Sequence, residues 1–208
     1  MSIVKKIINI PQVWDLIQTI FGDNSEKMRL YRSVIGKPGK LLDFGCANGN
    51  TFPIFSQFEY YGCDIDPVMI DNAKKKFSKY KNAHFLTVDI LSKKFPTNGF
   101  DNILFGLTGH HQDDETLLKL FAKLGTLLGE NGKIHYFDSI RSPQTDHLAT
   151  KLLIYLDRGK FIRHKSEYVN IKKKLSNKLK ITREYIYQVT NTFFPQPKYL
   201  YWRIERKR

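Results

Sequence analysis

The sequence predicts one α/β domain, a doubly wound seven-stranded sheet that is mostly parallel and closes with an antiparallel hairpin. Three observations carry this. Short apolar runs alternate with helical patterns from Lys40 to Phe137, which implies parallel strands joined by right-handed crossovers. A loop rich in small residues, Gly45 to Asn50, follows the first run. Two β-rich runs at the end, Ile181–Thr192 and Tyr199–Arg206, are separated by only six residues, too few for a crossover helix, so they pair antiparallel.

The elements follow in order. Pro11–Phe21 and Ser25–Ile35 place Val13, Trp14, Ile17, Ile20 and Met28, Leu30, Tyr31, Val34 at helical spacing, with Ser25 as an N-cap and Gly36 as a stop. Lys40–Phe44, Tyr60–Cys63, Ala83–Val88, Asn102–Phe105 and Lys133–Phe137 read as strands. Between them Thr51–Gln57, Pro67–Tyr80 and Glu115–Leu128 read as helices, and Gly129 and Gly132 as the turn into the fifth strand. In the last run Leu200, Trp202, Ile204 and Arg206 alternate with Tyr199, Tyr201, Arg203 and Glu205, a period of two.

Two hundred and eight residues suit one domain with one core, and 41% hydrophobic with 13% aromatic residues exclude disorder. Residues 1–208 divide into N-terminal helices (1–38), a nucleotide-side core (39–138), a cap (139–178) and the hairpin (179–208). No stretch is apolar over the length of a membrane span, and the start lacks a signal-peptide pattern. With two cysteines, Cys46 and Cys63, and no CxxC, free thiols in a reducing cytoplasm are expected. The net charge of +14 is uneven: residues 1–150 hold 18 Lys+Arg and 16 Asp+Glu, residues 151–208 hold 16 and 4. That excess reads first as a Lys-rich surface, second as attraction for an anionic acceptor and third as a nucleic-acid face.

In an open α/β sheet, ligands bind beyond the carboxyl ends of the strands. Asp43-Phe44-Gly45-Cys46-Ala47-Asn48-Gly49 stands at the end of the first strand, and Asp64 ends the second, where a carboxylate can accept from ribose hydroxyls. A G-x-G-x-x-G dinucleotide loop would need glycine at Ala47 and Asn50. The pattern resembles motif I of the class I S-adenosylmethionine-dependent methyltransferases, D-x-G-x-G-x-G, with Ala47 in place of the middle glycine. The resemblance continues through Asp64, Asp89, Phe100–Phe105, His110-His111 and Leu128–Lys133 to a reversed seventh strand. It implies a Rossmann-like fold and S-adenosyl-L-methionine as cofactor, leaving as S-adenosyl-L-homocysteine. It further implies that Gly45, Cys46, Ala47 and Gly49 lie along the amino acid and sulfonium part, that Asp43 belongs to the same cofactor site, as a buried acid satisfying loop N–H groups or as a contact or as both, and that Asp64 holds the ribose. Asp89, Ile65 and Ile90 would hold the adenine, with Phe105 and Gly106 at the end of the fourth strand. Tyr31 would cover the site from the early helices, on the acceptor side.

His110 or His111 can act as a base where the acceptor must lose a proton, since histidine titrates near neutral pH. The competing reading is that one histidine packs under the sheet end while the other holds a loop. Asp138 points to the same cleft by topology. Asp113, Asp114 and Glu115 beside the histidines suggest a metal, but acids opening a helix are what capping and the helix dipole require, and no metal site is assigned. Arg158 and Arg163 can grip a carboxylate or phosphate, or can pair with Asp157 and Glu167. The expected reaction is methyl transfer to a small polar or anionic metabolite. The alternatives are an RNA methyltransferase using the basic end, and a non-catalytic binder. The RNA route is demoted because Phe105-Gly106-Leu107-Thr108 stands where N-targeting enzymes often carry Asn/Asp-Pro-Pro-aromatic.

Overall fold

The structure, a computed structural model, describes residues 24–141, 160–188 and 198–207. Eight strands form one sheet: β1 (Lys40–Phe44), β2 (Glu59–Asp64), β3 (Ala83–Thr87), β4 (Phe100–Gly106), β5 (Leu128–Arg141), β6 (Arg163–His164), β7 (Leu179–Tyr187) and β8 (Lys198–Arg206). Seven of them run in the order β3-β2-β1-β4-β5-β8-β7, parallel from β3 to β5 and antiparallel for β8 on β5 and β7 on β8. The two-residue β6 adds to the expected seven, pairing parallel with the end of β5 at Ile140 and Arg141. Four α-helices are described: α1 (Asn24–Val34), α2 (Pro67–Lys76), α3 (Asp114–Leu127) and α4 (Lys165–Lys174). The expected helix Pro11–Phe21 lies outside the described residues.

The alternation of side chains along each strand builds a core on both faces. Leu42, Cys63, Ile103, Phe105, Ile134, Tyr136 and Trp202 pack on one face against Leu117, Phe121 and Leu124 of α3 and Tyr168 and Ile171 of α4. Leu41, Tyr60, Phe85, Leu104, Phe137 and Tyr201 pack on the other against α1, α2 and the 3-10 turn Phe52–Phe55. Each such large side chain, fully buried, contributes about 1.5–3 kcal/mol, so the two-faced pattern outweighs local propensities. It also separates the cysteines, since Cys63 belongs to the first cluster and Cys46 to the second.

Boundaries shift where the chain supplies its own stops. α2 starts at an N-cap, Asp66, whose carboxylate accepts from the Val68 and Met69 N–H groups, and it ends at Lys76, short of the expected Tyr80. Gly129 and Gly132 lie within β5, where Leu128 already pairs with Phe100 before the register shifts. A Cβ on Gly132 would collide with the Phe100 carbonyl oxygen, so the two glycines admit close strand contact instead of making a free turn.

Candidate active site at the carboxyl ends of β1, β4 and β5

The loop after β1 is held by backbone. The N–H groups of Gly45 and Cys46 both donate to the Cys63 carbonyl, at 2.8 and 3.1 Å. Gly45 and Gly49 adopt φ of +77° and +74°, and a Cβ on Gly45 would collide with the Thr108 hydroxyl, so glycine is required twice over. Ala47 adopts φ +46° at the position where the resembling motif has glycine. Its N–H donates to Asp64 Oδ2 and that of Asp66 to Oδ1, both at 3.0 Å. Each oxygen keeps a second lone pair for a hydroxyl. Beside this carboxylate Ile65 is 72% and Val68 61% exposed, apolar surface suited to a flat base. A glycine cradle, a fixed carboxylate and an apolar shelf fit a nucleoside-bearing cofactor.

Several expected contacts take other roles. Asp43 is buried and accepts a 2.5 Å hydrogen bond from the Tyr60 hydroxyl, and burial pushes its carboxyl up to about 6. Cys46 turns its thiol into the core, where a Cβ on Gly62 would stand 2.8 Å from Sγ, so only its backbone can meet a ligand. Burial raises that thiol well above its ordinary range, which makes it inert. Ile90, in the turn after β3, and Phe105, on β4, are buried in the core on one face of the sheet, Phe105 against Phe121 of α3. Asp89 is exposed, and the Ser92 hydroxyl and Leu91 N–H hold its carboxyl below the usual range. Gly106 is covered by the buried Tyr31, since a Cβ there would lie 2.5 Å from the Tyr31 hydroxyl oxygen.

After β4 the chain turns sharply. Leu107 takes φ +52°, a strained conformation for a branched side chain, stabilised by its N–H donating to the Phe137 carbonyl at 2.8 Å. The 3-10 turn Gly109–His111 follows. His110 is buried, its Nδ1 lying 2.5 Å from Oδ1 of Asp138, while His111 is exposed beside it with ring centroids 4.5 Å apart. Asp138, on β5 and 0% exposed, also accepts the Tyr136 hydroxyl at 2.6 Å and the Tyr168 hydroxyl at 2.9 Å on Oδ2. The sequence reading missed both tyrosines, although Tyr136 at i−2 shares the strand face of Asp138. Four donors, counting the Ser139 N–H at 3.0 Å, surround one carboxylate. That satisfies a buried carboxylate and orients the imidazole through Nδ1.

The acids after the histidines are used locally. Asp113 caps α3 by accepting from the Thr116 N–H at 2.8 Å, and Asp114 pairs with Arg163. Arg163 is buried at 2% and makes no anion site, because its nitrogens are directed to Asp114 and to the carbonyls of Gly109, Phe161 and Gln112. Arg158 lies outside the described residues. No helix among the described residues is long and apolar enough to cross a membrane.

A glycine cradle after β1, a carboxylate after β2 and a reversed last strand define the class I methyltransferase fold, a Rossmann-like sheet that binds its cofactor at the strand ends. The comparisons agree. Residues 41–132 match the family described as a methyltransferase domain. The N-methyltransferase NodS of Bradyrhizobium japonicum, solved with S-adenosyl-L-homocysteine, superposes with a TM-score of 0.70 at 16% identity, covering 99% of this chain and 97% of its own. The PH0226 protein of Pyrococcus horikoshii gives 0.66 at 19%, covering 96% and 100%. The mitomycin 7-O-methyltransferase MmcR gives 0.67 at 15%, covering all of this chain, which spans 61% of MmcR. None of the curated proteins matches the chain in sequence. Residues 41–132 thus match a methyltransferase domain, and the fold that contains them is that of S-adenosylmethionine-dependent methyltransferases.

Proposed function

We propose that the protein methylates a small polar acceptor that gives up a proton as it reacts, with His110 as the base. The observation that carries this reading is the buried His110–Asp138 pair at the ends of β4 and β5. When bound, S-adenosylmethionine supplies a methyl group on a sulfonium whose departing sulfide is neutral. The protein's part is to position, exclude water and move one proton. Gly45, Ala47 and Gly49 would lay backbone along the amino acid part, Asp64 would accept the ribose hydroxyls, and Ile65 would lie beneath the adenine. His110 Nε2 would take the acceptor's proton, and Asp138 would stabilise the imidazolium that results. His111, exposed, is left to the acceptor's entry.

Residues 139–178 are assigned as the acceptor cap. In support, β6 joins the end of β5 and Tyr168 of α4 reaches Asp138. With Arg163 committed to the loop, an anionic acceptor loses one of its two expected partners, so a neutral polar acceptor is the better fit. The test is formation of S-adenosyl-L-homocysteine over a panel of hydroxyl, amine, carboxylate and RNA acceptors. Turnover with a hydroxyl or amine that His110→Ala abolishes supports the reading. Turnover only with RNA supports the basic-face alternative, and tight cofactor binding in calorimetry with no turnover supports a binder.

A further inference from the structure

Arg163 lies within the 139–178 segment, on the two-residue β6, yet its guanidinium serves a different segment. Nε donates to Asp114 Oδ1 at 2.8 Å, Nη1 to the carbonyls of Gly109 and Phe161 at 3.3 and 3.2 Å, and Nη2 to the Gln112 carbonyl at 2.6 Å. Gly109 and Gln112 flank His110 and His111 on either side. The backbone adds a further link, since the Phe161 N–H donates to the carbonyl of His110 itself at 2.9 Å. The turn bearing His110 has three residues and few internal bonds, so its geometry depends on this external fork.

We propose that Arg163 is a positioning residue for His110, clamping the 109–114 loop so that the imidazole meets Asp138 only while β6 is docked on β5. The inference rests on His110 as the base and adds that the cap's return strand sets the base's geometry. A planar fork with several fixed donors can hold two carbonyls and a carboxylate at once, whereas lysine offers a point charge with no fork. Among the described residues, the titratable and charged groups near His110 include Asp138 and Tyr136 from β5, Tyr168 from α4, His111 from its own turn, and Arg163 with Asp114 behind the loop.

The experiment compares wild type with Arg163→Lys, Arg163→Gln and the rim variant Asp114→Asn, in which the exposed carboxylate alone is lost. Two readouts are followed: the pH profile of kcat, and the titration of the His110 ring by NMR, which needs no turnover. Arg163→Gln should lower kcat on the order of 10²-fold with KM for S-adenosylmethionine little changed, as expected for a displacement near 1 Å. Both the acidic limb of the profile and the ring titration should move. Arg163→Lys and Asp114→Asn should fall between, which keeps the proposal open to test if the glutamine variant does not fold. A lower melting temperature with ring titration and acidic limb unchanged in all folded variants would overturn it. If His110→Ala retains full activity while Arg163→Lys still shifts the ring titration, the clamp stands and the base assignment fails.

Discussion

The Cα of Gly109 is pressed against the carboxylate of Asp138: a Cβ at position 109 would stand 2.6 Å from Oδ2 and would also meet the Tyr136 hydroxyl. Nothing flexible gives way there, since Oδ2 is held by two tyrosines. Gly109→Ala therefore has to push the His110 turn off β5. It should cost about 1–3 kcal/mol of stability, as overpacking does. Catalysis should fall further than stability, because the pair with Asp138 is broken. Thermal melting and turnover measured on the same preparation check this. A variant with near wild-type turnover would show that the pair is not needed.

The glycine loop and the carboxylate at the end of β2 were legible because their chemistry is local: small residues at one strand end and an acid at the next. The His110–Asp138 pair was half legible, as two candidates in the right topological places. The roles of Ile90, Phe105 and Arg163 were not. Whether an apolar residue beside a strand end faces ligand or core depends on which way the pleat turns it, and a shift of one residue reverses that. Arg163 carries the charge of an anion binder, and only the fold shows that the 109–114 loop uses its donors.

Ala47 sits at φ +46°, a left-handed conformation that costs an L-residue roughly 1–2 kcal/mol, where glycine adopts it freely. Its side chain is exposed, so Ala47→Gly removes strain at the cost of little buried surface. The expected result is a gain of about 0.5–1 kcal/mol after glycine's greater unfolded-state entropy is subtracted. Cofactor affinity in calorimetry should be equal or tighter. A loss of stability would mean that the loop's conformation differs from the one described.

Two buried groups set opposing pH slopes. Asp43, raised from 3.8 to about 6, binds a proton in the folded state that the unfolded chain has released, so its contribution to stability is lost as pH rises through that window. His135 hydrogen-bonds the Tyr201 hydroxyl and the Asn102 side-chain oxygen, and burial lowers it from 6.5 to about 3. It stays neutral where the unfolded chain is protonated, so its contribution is lost as pH falls below 6.5. Between about pH 4 and 6 the slopes, each up to about 1.4 kcal/mol per unit, largely cancel. Asp43→Asn should unmask a stability that rises with pH, and His135→Gln one that falls. Urea unfolding at pH 4, 5 and 6 reads both slopes. Parallel curves for the two variants would overturn the assignment of either group.

The tyrosines around Asp138 separate its two duties, carrying a buried charge and orienting His110. Tyr168→Phe removes one donor to Oδ2 and leaves the Nδ1 contact to Oδ1 in place, so turnover should drop only a few-fold, with about 1–2 kcal/mol lost in stability. Asp138→Asn keeps the shape and an acceptor but removes the charge that stabilises the imidazolium, and its amide group can face Nδ1 and favour the wrong tautomer. Loss of at least about 10²-fold in kcat is then expected, within the range of general-base contributions. The stability cost should be smaller than that of an apolar substitution, because Asn still accepts from Tyr136 and Tyr168. If Tyr168→Phe and Asp138→Asn reduced turnover equally, the carboxylate would be acting through packing alone and His110 would need another partner to serve as the base.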